Sequence, residues 1–227
     1  MAPASLAAYC QALNAHTLEV KPMLIIDSTG VVIDPRVRHA ISPALERGDM
    51  KIVHGIIVHQ TGSSSAAVTL NGYKSTKDNP KPSGAHFLID KDGTIYQTVS
   101  IYKKAPHVGF LKSRCVAQHT CSPTELKALK GKKPGQQIGE VELKKKWPSK
   151  YPSNADSIGI EIVGEALPKN EPNRDRRTYE SVTKEQQASL QWLVQELSLT
   201  LNVRMAEVFR HPIVSWKNET EASTATW

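Results

Sequence analysis

The segment KIVHGIIVH, residues 51–59, is the feature that most restricts how this chain can fold. Its run of β-branched residues is typical of a strand buried on both faces, and such a strand needs a covering layer on each side. A second apolar run, SIGIEIVGEA at 157–166, has the same character. Residues 181–201 show leucine and valine at helical spacing. Together these segments predict an α/β (α+β) domain with a mixed central β-sheet flanked by helices.

The remaining segments predict the domain boundaries. Asp92 and Gly93 stand between alternating apolar runs in HFLIDKDGTIYQTV, which indicates a β-hairpin. Thr183 and Gln186 form a capping-box pattern at the start of the long helix. We expect an N-terminal extension at 1–22, containing a short helix, and a main domain at 23–227. Within it, residues 111–156 are rich in Lys, Pro and Gly without clear periodicity, which predicts a basic surface insertion.

The charge balance of 29 Lys+Arg against 22 Asp+Glu favours an anionic partner. The excess is local, with ten Lys or Arg against three Glu between positions 112 and 150. Aromatic residues are not interleaved with these charges as in nucleic-acid platforms, so we expect no nucleic-acid partner. The chain has no apolar stretch long enough to cross a bilayer, which predicts no stable membrane insertion.

The N-terminus and the cysteines bear on the cellular compartment. The first twenty residues have no basic n-region, so we expect no conventional signal peptide. Cys115 and Cys121 close a short loop that would form a disulfide in an oxidising compartment, while unpaired thiols are the alternative. With Cys10, the three cysteines cannot all pair within the chain.

Three side chains suggest metal chemistry from their positions alone. His59 ends an apolar strand beside a loop of small residues, and His211 stands at a similar exit after Val208–Arg210. Glu161 interrupts an apolar strand, where a carboxylate is costly unless it is paired, protonated or close to a metal. A zinc hydrolase needs three protein ligands and a proton-transfer group. Structural roles remain open for each residue taken singly.

Five motifs in order resemble a known family: IIVHQTGS, SGAHFLIDKDGTIYQ, KAPHVGF, SIGIEIVGEA and a C-terminal H…K pattern. They are similar to the N-acetylmuramoyl-L-alanine amidases of the phage-lysozyme and peptidoglycan-recognition-protein kind, over about residues 50–222. The resemblance implies the peptidoglycan-recognition-protein-like amidase fold. It also implies a Zn2+-dependent hydrolase that cuts the amide bond between N-acetylmuramic acid and L-alanine in peptidoglycan.

The resemblance also implies roles for individual residues. His59 and His211 would be zinc ligands and Glu161 the catalytic carboxylate. Family members carry an Asp or Cys two residues after a lysine; here that frame gives Lys217 as the neighbouring catalytic cation and Glu219 as the third ligand, with Glu221 as a competitor. His107 would contact substrate or stabilise the oxyanion. His86 is grouped with the substrate site but is expected to pack beneath it.

The biological role has several alternatives. A peptidoglycan-binding module without hydrolysis is the rival function if no third ligand reaches the metal. The partners implied are peptidoglycan or muropeptides, together with a cognate immunity protein if the chain is an antibacterial effector. We expect export by a non-classical route and action in the periplasm of a target cell; endolysin and cytoplasmic recycling roles are the alternatives.

Overall fold

The computed structural model describes residues 23–227 and places one mixed six-stranded sheet at their centre. Its strands are β1 (Val37–His39), β2 (Gly55–Gln60), β3 (Phe87–Ile89), β4 (Ile95–Gln97), β5 (Ser157–Ile162) and β8 (Val208–Arg210). They lie in the order β1-β4-β3-β5-β2-β8, and only the β3–β4 hairpin is antiparallel. A separate antiparallel pair is formed by β6 (Ala166–Leu167) and β7 (Thr178–Tyr179). The predicted fold class is confirmed.

Helices cover the sheet and fill its connections: α1 (Ala66–Gly72), α2 (Arg114–Ala117), α3 (Pro123–Leu129), α4 (Gln136–Leu143), α5 (Lys184–Thr200) and α6 (His211–Val214). The longest, α5, begins at the predicted capping box, in which Thr183 and Gln186 exchange side-chain-to-backbone hydrogen bonds. Its buried face packs against the sheet in the main core, which contains Leu190, Leu193, Val194 and Leu197 together with Ile56, Val58, Ile158 and Ile160.

One face of the central strands packs against α5, and the other face points away from α5. Because side chains alternate along a strand, Ile160 and Ile162 pack into the core while Glu161 projects from the other face. The parallel register pairs Glu161 with His59 of β2. Two polar residues from distant parts of the chain therefore stand side by side at the ends of the two innermost parallel strands.

Residues 111–156 contain three short helices, α2 to α4, although their sequence shows little periodicity. A buried bidentate ion pair joins Arg114 to Glu207, with distances of 2.9 and 2.7 Å. A disulfide joins Cys115 to Cys121. Lys145 lies between Glu125 and Glu142, at 2.9 and 2.8 Å. This basic segment is therefore tied to the domain, and part of its positive charge is neutralised internally.

Some expectations differ from the structure or fall outside it. Apart from the strand exit expected before His211, the tail from residue 208 is predicted to be a loop with a possible terminal turn; the structure places β8 there, paired with β2, followed by the short helix α6. The short helix expected within residues 1–20 lies outside the described residues. Among residues 23–227, no helix has the length and apolarity that a membrane crossing requires.

Candidate metal centre

A cleft of about 670 Å³ opens where β2 and β5 end. His59 and Glu161, paired in register, lie on its floor, and His211 and Glu221 line it from the C-terminal side. Ligands in open α/β sheets bind outside the carboxyl ends of the strands. The cleft occupies that position, and it contains the histidines and the strand carboxylate that the sequence singles out.

Three buried side chains converge in the cleft. Nδ1 of His59 lies 2.8 Å from Nδ1 of His211, and Oε1 of Glu221 lies 2.9 Å from the same His211 nitrogen. Oε1 of Glu221 is 3.6 Å from Nδ1 of His59. One ligand atom from each residue falls within 4.8 Å of the other two.

These spacings fit a single metal ion. Two nitrogens bound to a tetrahedral zinc at its usual bond length lie about 3.3 Å apart. The three separations observed here, 2.8, 2.9 and 3.6 Å, bracket that value. Two imidazoles and one carboxylate also form a ligand set found in zinc hydrolases. His59, His211 and Glu221 could therefore hold a zinc ion and leave one position open towards the cleft.

Glu219, the residue expected to supply the third ligand, does not reach the cluster, whereas its competitor Glu221 does. The side chain of Glu219 is 78% exposed and pairs with Lys112 at 3.2 Å, whereas the side chain of Glu221 is buried between the histidines. Residues 218–221 form a turn in which the backbone N–H of Glu221 donates to the carbonyl of Asn218. This turn carries Glu219 outwards and Glu221 inwards.

A hydrogen-bond chain determines which nitrogen of His59 faces the metal position. The Ser157 hydroxyl donates to the Ser153 carbonyl at 2.6 Å, so its oxygen can only accept from Nε2 of His107, 3.3 Å away. Burial and the neighbouring histidines hold the pKa of His107 well below its usual range, so the ring is neutral. Nδ1 of His107 must then accept from Nε2–H of His59, at 3.0 Å. The lone pair of His59 Nδ1 is left pointing at His211 and Glu221.

The pKa values of His59 and Glu221 differ strongly from those of exposed side chains. Burial and nearby His211 lower the pKa of His59 to about 4, against the opposing effect of Glu221. Burial alone would raise the pKa of Glu221, but the hydrogen bond with His211 and the neighbouring His59 lower it to about 2. A neutral imidazole beside an ionised carboxylate is the protonation state that a divalent cation requires.

His86 lies beneath the site and is not among the residues that line the cleft. It is fully buried; its Nδ1 accepts from the Gly159 N–H at 3.0 Å, and its Nε2–H donates to the Lys103 carbonyl at 2.9 Å. Gly159 is required here because a Cβ at this position would lie 2.7 Å from the ring of His107. His86 and Gly159 therefore support His107 from below.

Glu161 projects into the cleft one strand away from His59, and paired residues on adjacent strands are about 5 Å apart. Its Oε2 atom is buried without a hydrogen-bond partner among the described residues. Burial and the nearby Glu221 raise the pKa of Glu161 to about 8, with Lys217 acting in the opposite direction. An unpartnered carboxyl group with a pKa near neutrality is suited to accept and return a proton.

The wall of the cleft formed by residues 169–179 carries an excess of positive charge, a feature not predicted from the sequence. Lys169, Arg174 and Arg177 line it together with Asp175 and Tyr179, and Lys169 is paired with Glu165, while the exposed Lys217 lines the C-terminal side. The charge cluster in NRDRR, residues 173–177, is the signal that could have drawn attention to this wall. An anionic substrate would meet complementary charge there.

Comparisons with known proteins agree with this architecture. The family described as N-acetylmuramoyl-L-alanine amidase matches residues 49–224. The solved structure of a selenomethionine derivative of AmpD is similar, with 18% identity, a TM-score of 0.53, and 87% of this chain and 91% of that chain covered. This likeness shows a shared fold.

Two further solved structures match with lower TM-scores. The catalytic domain of XlyA is 20% identical, with a TM-score of 0.44 over 80% of this chain and 87% of that one. The endolysin amidase LysCS from Clostridium intestinale is 19% identical, with a TM-score of 0.43 over 82% and 86%. No curated protein sequence matches at a significant level.

Proposed function

Because the chain belongs to the N-acetylmuramoyl-L-alanine amidase family, we propose that it hydrolyses the amide bond between N-acetylmuramic acid and L-alanine in peptidoglycan. It does so as a zinc enzyme whose ligands are His59, His211 and Glu221. The observation that carries the proposal is the convergence of these three buried side chains beside Glu161, in one cleft at the ends of parallel strands.

Hydrogen bonds within the protein orient the proposed ligand side chains. Nδ1 of His107 accepts a hydrogen bond from Nε2–H of His59, which leaves Nδ1 of His59 without a proton, and Glu221 contributes the negative charge. When bound, zinc supplies Lewis-acid activation of the amide carbonyl and lowers the pKa of a water molecule.

Glu161 moves the proton. Its carboxylate accepts a proton from the attacking water as the new C–O bond forms at the lactyl carbonyl. It then returns this proton to the alanine nitrogen as the C–N bond breaks. The exposed Lys217 brings a positive charge to the side of the cleft where the carbonyl oxygen becomes negative.

The charged wall supports an anionic substrate. Stem peptides carry carboxylates, and Lys169, Arg174 and Arg177 face the cleft where such a peptide would extend. The side-chain nitrogens of Arg174 make no hydrogen bond within residues 23–227 and remain available for a carboxylate. Bidentate binding of carboxylates is the usual role of arginine at such positions.

Digestion of purified sacculi tests the activity directly. We expect mass spectrometry to detect free stem peptides with a new N-terminal alanine, together with glycan strands that retain intact lactyl groups. A chelator should abolish release and zinc should restore it, while Glu161→Gln provides a matched inactive control. Products cleaved within the glycan or within the peptide would contradict the proposed bond, and full activity in metal-free protein would contradict the metal.

The rival function, a binding module without hydrolysis, requires the third ligand to be missing. The position of Glu221, 2.9 Å from His211, supports the catalytic function over this rival. We extend the proposal to a lytic, antibacterial role outside the cytoplasm, supported by the Cys115–Cys121 disulfide, since disulfides persist in oxidising compartments. Lysis on periplasmic but not cytoplasmic expression tests this role, and protection by a co-expressed neighbouring gene product would identify an immunity protein.

A further inference from the structure

The Tyr179 hydroxyl lies in the cleft but has no role in the mechanism proposed above. Tyr179 ends β7, lines the cleft with the metal cluster and Glu161, and is half-buried. Its hydroxyl makes no hydrogen bond to any residue between 23 and 227, although the hydroxyls of buried tyrosines usually find a partner. A donor held in a binding cleft without a protein partner is available to a ligand.

The backbone around Tyr179 is fixed to the elements that carry the metal ligands. Its N–H donates to the Thr220 side chain at 3.1 Å, one residue before Glu221. The Asn218 side chain donates to the carbonyls of Arg174 and Arg177, at 2.8 and 2.7 Å. The carbonyl of Glu180 accepts from Gln60, the residue after His59, at 2.8 Å. The tyrosine is therefore held in a defined position relative to the ligands from both β2 and the 218–221 turn.

Gly62, in the loop after β2, borders the Tyr179 hydroxyl. A Cβ built at Gly62 would lie 3.9 Å from the Tyr179 oxygen, at ordinary van der Waals distance, so this residue places no side chain against the hydroxyl. Burial and the carboxylates of Glu221 and Glu161 raise the pKa of Tyr179, so the phenol keeps its proton and remains a donor.

We infer that Tyr179 is a catalytic residue whose hydroxyl donates a hydrogen bond to the carbonyl oxygen of the scissile amide. This inference rests on the proposed amidase function. As the water oxygen bonds to the carbonyl carbon and its proton passes to Glu161, the carbonyl π electrons move onto the oxygen that Tyr179 contacts. The hydrogen bond strengthens as that charge develops. Tyr179 keeps its proton throughout, while the proton held by Glu161 goes to the leaving nitrogen.

The test compares Tyr179→Phe with the wild type on soluble muramyl peptides. Loss of one preorganised oxyanion donor typically lowers kcat by about 100- to 1,000-fold, and we expect a loss of this size with KM changed less than about threefold. Zinc content and circular dichroism should match the wild type. Tyr102→Phe is the control, because Tyr102 is 45% exposed and lies outside the cleft.

The outcomes are separable. An unchanged kcat, or a raised KM with normal kcat, would overturn the catalytic role of Tyr179 while leaving the amidase proposal intact. Absence of cleavage by the wild-type protein would overturn the amidase proposal itself. If Tyr179→Phe does not fold, 3-fluorotyrosine at position 179 replaces it: its more acidic phenol should change kcat, and an identical kcat would count against the inference.

Discussion

The carboxylate of Glu221 lies 2.9 Å from Nδ1 of His211, whereas Glu219 extends into solvent towards Lys112. We therefore predict that Glu221→Gln weakens zinc affinity by more than about 100-fold, because even outer-shell partners contribute 10- to 100-fold. The matched variant Glu219→Gln should bind zinc normally. Competition with a chromogenic chelator measures both. Equal losses in the two variants, or a loss only at Glu219, would contradict the assignment.

Glu161→Gln keeps the shape of the side chain and removes its ability to take a proton. Turnover should fall by about 100- to 10,000-fold, which is the usual contribution of a general acid–base group. Zinc content should be unchanged because Glu161 is not among the three converging ligands. Near-normal turnover would assign proton transfer to another group, and loss of zinc would make Glu161 a ligand.

His107 should act through His59 and not through substrate alone. Asn at position 107 can place an oxygen where Nδ1 now accepts the His59 proton, whereas Leu cannot. We predict that His107→Leu weakens zinc affinity by about 10- to 100-fold and that His107→Asn restores most of it. If both variants bind zinc like the wild type and differ only in KM, His107 is a substrate contact.

Glu207 anchors residues 111–156 to the sheet through Arg114. Glu207→Gln leaves a buried guanidinium without its counter-charge, which typically costs about 3–5 kcal/mol in the free energy of unfolding. Urea denaturation monitored by tryptophan fluorescence would measure this loss. Asp49→Asn removes an exposed ion pair with Lys103 and should change the unfolding midpoint little. Similar midpoints for both variants would show that the buried pair is dispensable.

His86 should make stability depend on pH. Burial lowers its pKa to about 4, compared with about 6.5 in an unfolded chain, so the unfolded state binds more protons between these values. Its contribution, on the order of 3 kcal/mol, is complete above pH 6.5 and is lost as the pH falls towards 4. His86→Asn keeps an acceptor for Gly159 but does not titrate. The Tm advantage of the wild type over this variant should shrink on acidification; a constant difference would contradict the assignment.

Elements with strong local periodicity could be predicted from the sequence. The β3–β4 hairpin follows from Asp92-Gly93 between alternating apolar runs, and α5 follows from its apolar spacing and the Thr183–Gln186 capping box. Alternation along β5 also predicts that the Glu161 side chain projects from the sheet face opposite to Ile160 and Ile162. In these cases the determining interactions lie within a few residues, so the sequence pattern expresses them.

Features that depend on distant contacts could not be predicted. The local pattern places a strand before His211, but it does not reveal that this strand, β8, pairs with β2. The choice between Glu219 and Glu221 depends on the 218–221 turn, whose Thr220 and Asn218 side chains bind the backbone before and within β7. The positive wall likewise arises only when the β6–β7 pair folds over the cleft.

The register that places His59 beside Glu161 affects what a partly folded chain can contain. These residues are about 100 positions apart in the sequence. Bringing them together costs the chain entropy of closing a long loop, and this cost must be met before the strand pairing can stabilise the fold. A partly folded molecule can contain α5 and the β3–β4 hairpin, which form from local contacts, and still have no cleft. The proposed active site therefore requires the pairing of β2 with β5, and a chain in which these strands are unpaired has no assembled metal cluster.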